Sequence, residues 1–354
     1  MRSKAKSETS VLRSVLRPLA ERLPRSWAID QLPQTASRPA IGSEDGNMRL
    51  AGPDGTSVRL IVQALQALEP RNVSRVLAVA GEPDDAIPLV IAPYLSARTR
   101  ELLKEQQCNF ADATGNVWIS IARPALFIEA TGATNDPTWT NRPLGTLKGR
   151  ATGKAIRALC DFRPPYGVRE LAKRAKLPAP TLSRVIDFLD REALLRKDER
   201  AVVQEIDWAG TIRRWVQDYA FSKSNRVVTF LEPRGLSDLR LKLSKAKWAY
   251  ATTGSLAASL VAPVAAPRLA QLYVRDIEAA ADALELKRAD AGANVMLAEA
   301  FDDVVYDRTL RRDGLVCAAL THVAADLLTS PGRGPAEAEE LLQWMKANDA
   351  AWRT

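Results

Sequence analysis

The side chains best placed to do chemistry lie on a short helix that we predict to begin near Pro180. Its apolar residues recur at helical spacing and predict one buried face. They are Leu182, Val185, Ile186 and Leu189. The opposite face carries Thr181, Ser183 and Arg184. A guanidinium can donate two hydrogen bonds to the edge of guanine, and hydroxyl groups can bond bases or phosphates. This face is therefore predicted to contact base edges of double-stranded DNA, with Arg184 discriminating between bases.

The elements on either side of this helix would position it. The helix before it has apolar residues at the same spacing, which are Val168, Leu171, Ala172 and Ala175. A tight turn separates the two helices, and two strand-like runs follow at residues 193–196 and 201–204. Two helices, a turn and a basic hairpin predict a winged helix-turn-helix over residues 167–207, whose second helix enters the major groove. A three-helix packing module without a ligand is the alternative interpretation.

Basic residues are concentrated in and around this segment. Residues 141–226 contain 19 Lys and Arg against 10 Asp and Glu, an excess of nine positive charges, while the whole chain carries +8. Four of these residues are predicted to hold the DNA backbone, which gives affinity but little sequence choice. They are Arg169, Lys173, Lys197 and Arg200. A solvated basic face without a partner is the alternative.

Composition and rare residues limit the other classes of function. The 354 residues are 46% hydrophobic and 26% charged, which is typical of a folded protein of two or three domains. Three distant cysteines without a CxxC motif favour a reducing cytoplasm. The single histidine, His322, is interpreted as a helix residue near Leu320 and Val323, so neither a zinc site nor a catalytic base is predicted. We expect no cofactor, and no apolar run approaches the length of about 20 residues that spans a membrane.

Residues 46–132 alternate strands and helices and predict a mixed sheet flanked by helices. This order resembles the restriction-endonuclease-like fold, whose metal site uses Pro-Asp and, on the next strand, Glu-x-Lys. Pro53-Asp54 is present, but Gln63 and Leu65 stand at the Glu and Lys positions. An amide lacks the charge that Mg²⁺ requires, and leucine offers no donor to activate water. The resemblance therefore implies a degenerate domain without activity, in which Asp54 is a turn residue.

A second group with chemical potential is Thr253-Gly254-Ser255 at the start of a helix. It is similar to the Gly-Ser of nucleotidyltransferases, where a helix N-terminus receives phosphate. Those enzymes also need two aspartates a short distance downstream to hold metal. The next acids are Asp276 and Glu278, beyond the following strand. We therefore expect Gly254 to serve close packing between a strand and a helix, and we predict no catalytic residues.

The order of segments and two phrases resemble a known family. The phrases are Tyr94 to Leu103 (YLSARTRELL) and Asn109 to Val117 (NFADATGNV), followed by the helix-turn-helix segment. Over residues 47–350 the chain resembles the AbiEi-type antitoxins and regulators of bacteria, in the Ala- and Arg-rich form typical of actinobacteria. The resemblance implies a repressor that controls its own operon and, in type IV toxin-antitoxin pairs, opposes a nucleotidyltransferase toxin. The nuclease-like domain ahead of the helix-turn-helix departs from the shortest family pattern.

Together these patterns predict an α/β multidomain protein. Residues 1–45 form a mobile basic arm with one amphipathic helix and a linker, 46–132 the degenerate nuclease-like domain and 133–150 a second linker. The winged helix-turn-helix covers 151–208 and a C-terminal α/β antitoxin-like domain 209–354. We predict a homodimeric, sequence-specific transcriptional repressor of the cytoplasm and nucleoid, with a cognate toxin as a possible second partner. A Mg²⁺-dependent endonuclease and a pure protein-interaction antitoxin are the alternatives.

Overall fold

A computed structural model describes residues 2–32, 45–80, 86–134, 136–137 and 146–354. The chain divides into two compact units, one of residues 1–142 with 191–193 and the other of residues 143–190 and 194–354. Parts of both predicted linkers, at 33–44 and 138–145, lie outside the described residues. The described helices include none that is long and apolar enough to cross a membrane. The predicted mixed α/β architecture is confirmed.

The first unit is a sheet covered by helices on both faces. Its elements are α1 (Arg2–Ala20), β1 (Ala28–Gln31), β2 (Asp45–Ala51), β3 (Ser57–Ala64), α2 (Val73–Ala80), β4 (Ala86–Ala92), α3 (Ala97–Glu105), β5 (Asn109–Asp112), β6 (Val117–Ile121) and β7 (Leu126–Ala130). The strands lie in the order of the sequence. Strands β3, β4 and β5 run parallel because α2 and α3 return the chain across the sheet, whereas the other neighbours are antiparallel.

Helix α1 packs on the face of the sheet opposite to α2 and α3. Val11, Val15 and Leu19 are buried in one cluster with Leu60 of β3 and Ile91 of β4. The predicted amphipathic helix is present, but the prediction of a mobile arm is wrong for this part of the chain, because the apolar stripe is buried in the core. Strand β1, within the predicted linker, also pairs with β2.

The second unit begins with three helices and a hairpin, which we call the helix-hairpin module. It consists of α4 (Arg150–Asp161), α5 (Val168–Arg174), α6 (Ala179–Arg191), β8 (Leu195–Lys197) and β9 (Val203–Ile206). The remaining elements are α7 (Trp208–Trp215), α8 (Phe221–Ser224), β10 (Arg226–Leu231), α9 (Leu236–Lys245), β11 (Tyr250–Thr253), α10 (Gly254–Ala258), β12 (Ala270–Val274), α11 (Ile277–Ala283), β13 (Lys287–Arg288), β14 (Val295–Glu299), β15 (Leu310–Arg312), β16 (Leu315–Cys317), α12 (Leu320–Leu328), α13 (Gly334–Ala347) and α14 (Asp349–Trp352).

The C-terminal strands form a second mixed sheet in the order β13-β10-β14-β12-β11-β16-β15. Helix α7 connects this part to the helix-hairpin module. Trp208, Ile212 and Trp215 are buried in a core that also contains Leu159 of α4 and Val323 of α12. The predicted packing role of the helix after the hairpin is therefore confirmed. The module and the C-terminal part share one hydrophobic core.

Candidate nucleic-acid interface

The turn between α5 and α6 is closed by local hydrogen bonds. Lys176 adopts a left-handed conformation with φ of 51°. The N–H of Leu177 then donates to the carbonyl oxygen of Ala172 at 2.9 Å. Leu171 on α5 and Leu182 on α6 are fully buried on either side of the turn. The predicted apolar faces of these two helices are confirmed. The turn fixes the orientation of α5 relative to α6, and with it the positions of their outward polar faces.

The outward face of α6 has Arg184 near its centre. Arg184 is exposed, whereas Thr181 and Ser183 are half-buried. At 100° per residue, Arg184 lies opposite the buried stripe, while Thr181 and Ser183 lie at its two margins. Asp187, one turn after Arg184, is also exposed. The structure therefore places Arg184 on the outward face with a carboxylate beside it, and Thr181 and Ser183 on either side of that face.

The hairpin after α6 is held by a carboxylate at its tip. Strands β8 and β9 pair antiparallel, and Tyr166 adds a bridge to Val203. Asp198 accepts hydrogen bonds from the backbone N–H groups of Arg200 at 2.9 Å and Val202 at 3.0 Å. The bond from Val202 is the main cause that lowers the pKa of Asp198. The predicted hairpin is present, and its tip projects the exposed side chain of Arg200.

The basic side chains of the module fall into two classes. Several are held by carboxylates: Arg174 pairs with Glu170 at 2.7 Å, and Arg196 pairs across the hairpin with Glu205. Others form no ion pair with any residue that the structure describes, and this second class includes four exposed residues of α5, α6 and the hairpin. They are Arg169, Lys173, Arg184 and Arg200. The second class contains four of the five predicted DNA contacts that carry a positive charge.

Lys197, the fifth, differs from the other four. Its Nζ lies 2.5 Å from Oδ1 of Asp187 and 3.8 Å from Oδ2 of Asp190, and its side chain is 25% exposed. The hairpin lysine is therefore held against α6. Its predicted contact with DNA stays a prediction, since the contact would compete with this ion pair. The sequence shows both charges but not that the hairpin brings them together.

No protein-family model, curated protein or solved structure matches the chain.

The residues of the predicted nuclease site do not meet in the first unit. Asp54 lies in the turn between β2 and β3, where it accepts hydrogen bonds from the backbone N–H of Thr56 at 3.0 Å and its hydroxyl at 2.6 Å. Gln63 lies near the far end of β3, opposite Asp45. At about 3.3 Å per residue, Asp54 and Gln63 are roughly 20–30 Å apart. The prediction that Asp54 is a turn residue is confirmed.

The Gly254-Ser255 group is closed by neighbouring side chains. Gly254 has φ of 60°, and a Cβ there would lie 1.9 Å from Oε1 of Gln271. Thr253 donates its hydroxyl to Asp326 at 2.6 Å. Asp276 caps α11 by accepting from the N–H of Ala279. The predicted close-packing role of Gly254 is confirmed. Within the described residues, no three His, Cys, Asp or Glu side chains are grouped so that they could hold a metal.

A buried polar network that sequence reasoning missed joins the module to the C-terminal part. Asp326 on α12 accepts hydrogen bonds from Tyr219 at 2.6 Å and Tyr273 at 2.8 Å, in addition to the one from Thr253. Burial raises the pKa of Asp326 to about 7, although these hydroxyl groups oppose the shift. His322, one turn earlier, is fully buried, and burial followed by the charge of Arg157 lowers its pKa well below the usual value. The prediction that His322 is a helix residue is confirmed.

This network predicts a specific dependence of stability on pH. The pKa of Asp326 is higher in the folded state than in the unfolded state. Its contribution to the free energy of unfolding is therefore complete below pH 3.8 and is lost as the pH rises toward 7. The pKa of His322 is lower in the folded state than in the unfolded state. Its contribution to the free energy of unfolding is therefore present above pH 6.5 and is lost as the pH falls. The two trends oppose each other between about pH 4.5 and 6.5. Asp326→Asn removes one of them, and its unfolding free energy should rise with pH more steeply than that of the wild type.

The difference in slope should be about 1.4 kcal/mol per pH unit, the value for one proton. Urea unfolding of both proteins at several pH values between 4.5 and 6.5 measures it. His322→Gln is the matched control, because removing the opposite trend should change the slope in the opposite direction. Parallel stability curves for the wild type and Asp326→Asn would contradict the assignment of a neutral buried Asp326.

Proposed function

We propose that the chain is a sequence-specific DNA-binding transcriptional regulator and that residues 150–206 are a winged helix-turn-helix. The observation that carries this proposal is the set of exposed cations on α5, α6 and the hairpin that form no ion pair with any described residue. Cations that lack carboxylate partners raise the local potential and favour a polyanionic ligand. In this arrangement α6 enters the major groove and the β8–β9 hairpin is the wing.

The side chains divide between reading the sequence and holding the backbone. Arg184, at the centre of the outward face of α6, is the candidate for a bidentate contact with guanine. Thr181 and Ser183 at the margins can bond a base edge or a phosphate. Arg169 and Lys173 on α5 would hold phosphates on one side, and Arg200 at the hairpin tip would do so on the other. Binding needs no metal, cofactor or catalytic residue.

Because Lys197 forms an ion pair and Lys173 does not, replacing each lysine should affect DNA binding to a different extent. Lys173→Ala should weaken binding to all DNA sequences and reduce the salt dependence by about one unit of slope. Lys197→Ala should have a smaller effect, because Asp187 already neutralises its charge. Asp187→Ala should strengthen binding to random DNA several-fold, since it removes a negative charge and the shorter of the two ion pairs of Lys197. Fluorescence anisotropy at several salt concentrations measures all three, and equal slopes for both lysine variants would contradict the role given to the pair.

The resemblance to AbiEi-type antitoxins supports a more specific version of this proposal. In that version the protein is a repressor that binds an inverted repeat as a homodimer and controls its own operon in the cytoplasm. The first unit is then a nuclease-like domain without a metal site, and the C-terminal part faces a nucleotidyltransferase toxin. The mixed sheets of the two units are compatible with both assignments. DNA binding rests on the module and does not depend on the toxin.

Selection of bound sequences from a random pool of duplex DNA tests the proposal. The full chain is expected to enrich one motif, and a dimer should enrich two inverted copies about one helical turn apart. The double variant Arg184→Ala/Arg200→Ala should lose the enrichment. Retention of no DNA even at low salt would overturn the proposal and would favour a role in protein interaction alone. Enrichment by the double variant equal to that by the wild type would overturn the assignment of α6 and the hairpin.

A further inference from the structure

A basic cleft of about 220 Å³ lies beside α4, apart from the outward face of α6. Three segments of the second unit form its walls: α4 with the residue that follows it, the residues at the end of α5, and residues 304–308. Five cationic side chains line it, against the two carboxylates of Asp161 and Asp307. The cations are Lys154, Arg157, Arg174, Lys176 and Arg308. The lining therefore carries an excess of positive charge.

Part of this lining is a closed framework with no capacity left for a ligand. Arg157 is 1% exposed, and its Nη2 lies 2.8 Å from Oδ2 of Asp161. Its other N–H groups donate to the carbonyl oxygens of Val304 and Asp307, both at 3.1 Å. Asp161 also accepts from the hydroxyl of Thr321 at 2.6 Å. These groups satisfy one another and fix the floor of the cleft.

Two guanidinium groups and an aromatic ring form one rigid wall. Arg308 lies over the ring of Phe162, with 4.7 Å between its Cζ and the ring centre, and donates to Oγ1 of Thr354 at 3.0 Å. Arg174 lies 5.5 Å from the same ring centre. Nε of Arg308 lies 3.8 Å from Oδ2 of Asp161, but the side chain is 30% exposed, so part of its guanidinium still faces solvent. The wall combines positive charge with an apolar ring, and next to an apolar surface electrostatic attraction is stronger than in bulk solvent.

The two lysines are the groups available to a ligand. Lys154 on α4 is half-buried, and Lys176 in the turn after α5 is exposed. Neither forms an ion pair or a side-chain hydrogen bond within the part of the chain that the structure describes. They come from different elements, and the fixed turn at Lys176 holds them at the same cleft. Two uncompensated ammonium groups beside Arg174 and Arg308 favour an anion that can accept several hydrogen bonds at once.

The size of the cleft limits that anion. Sites for drug-sized molecules usually have volumes of about 300–1,000 Å³, so a cleft of about 220 Å³ suits a smaller ligand. Phosphate oxygens accept from ammonium and guanidinium groups in several directions. We propose that this cleft binds a small phosphate-bearing anion, held by Lys154 and Lys176 with Arg308 beside them.

Binding there would connect the ligand to the helix-turn-helix, an effect that rests on the proposed function. Lys176 belongs to the turn that precedes α6, and residues 304–308 belong to the C-terminal part. A bound anion bridges these two segments and neutralises a charge next to α6. The affinity for DNA should therefore change when the cleft is filled, and the small anion acts as an effector.

Isothermal titration calorimetry of the full chain with inorganic phosphate, without DNA, tests the site. The wild type should bind phosphate, and chloride at matched ionic strength should give no comparable heat. Lys154→Ala/Lys176→Ala should bind phosphate roughly a hundredfold more weakly, since it removes two charge-assisted hydrogen bonds that are each worth about a factor of ten. Each single variant should give an intermediate affinity. Circular dichroism checks that the variants are folded.

Lys245→Ala/Lys247→Ala is the matched control, because both residues are exposed in the same unit and lie outside the cleft. It should bind phosphate as the wild type does. Equal phosphate affinity of the wild type and Lys154→Ala/Lys176→Ala would overturn the proposal. A second outcome would also overturn it: the wild type gives no heat with free phosphate, and Lys154→Ala/Lys176→Ala binds DNA more weakly. The cleft would then hold a phosphate of the DNA backbone. A chain that binds phosphate but no DNA would overturn the proposed function and leave the site intact.

Discussion

Arg184→Ala is expected to reduce the preference of the protein for its selected DNA sequence at one base pair. A bidentate contact between arginine and guanine contributes about 1–3 kcal/mol of discrimination, so the ratio of affinities for the correct and the substituted base pair should fall roughly five- to hundred-fold. Arg184 is exposed and forms no ion pair within the described residues, so its removal should leave the fold unchanged. Competition binding with a set of singly substituted duplexes measures the loss.

Two variants separate the reading of a base from simple charge. Arg184→Lys keeps the charge but loses the planar pair of donors, so it should retain affinity for random DNA and still lose discrimination. Arg234→Ala removes an exposed arginine outside the module and should change neither quantity. Full discrimination by Arg184→Lys would contradict a bidentate contact and would assign Arg184 to a phosphate instead.

Arg157→Met is expected to destabilise the second unit by about 3–5 kcal/mol, the usual effect of removing one partner of a buried ion pair. Arg157 and Asp161 have side-chain exposures of 2% and 3%, so the remaining carboxylate would stay buried with only the more distant guanidinium of Arg308, at 3.8 Å, as a counter-charge. The carbonyl groups of Val304 and Asp307 would also lose a donor. Chemical denaturation at neutral pH, followed by tryptophan fluorescence, measures the change.

Arg157→Met/Asp161→Asn should be less destabilised than Arg157→Met alone, because the amide removes the uncompensated charge and still accepts from Thr321. The exposed pair of Arg196 and Glu205, at 62% and 69%, provides the control. Arg196→Ala should change the free energy of unfolding by less than about 1 kcal/mol. Similar losses for Arg157→Met and Arg196→Ala would show that the buried pair does not stabilise the junction between the module and the C-terminal part.

Local sequence patterns were sufficient for the elements whose structure depends on neighbouring residues. Helical spacing predicted the buried faces of α5 and α6, and Asp54 was correctly predicted to be a turn residue, which lies between β2 and β3. The polar residues of α6 followed from the same spacing, because the outward face of a helix is determined once its buried face is known. The seven residues predicted to contact DNA therefore lie on α5, α6 and the hairpin, as expected.

These local patterns did not predict contacts between segments that are distant in the sequence. The periodicity of α1 predicted an amphipathic helix but not the sheet that buries it. Asp326 was overlooked because its partners Tyr219 and Thr253 are far away in the sequence. Arg157 has one local partner, Asp161, but its contact with Val304 is equally distant. The ion pair between Lys197 and Asp187 depends on how the hairpin folds back on α6. Neither spacing nor composition specifies such pairs.

The salt dependence of binding to a random-sequence duplex tests the central claim most directly. The wild-type chain should bind at low salt, with the logarithm of its affinity falling linearly with the logarithm of the salt concentration. Replacing Arg169, Lys173, Arg184 and Arg200 together by alanine should reduce the slope by about 3–4 units, at roughly 0.9 per released phosphate contact. The same slope and affinity for both proteins, or no binding by the wild type at low salt, would contradict DNA recognition by this module.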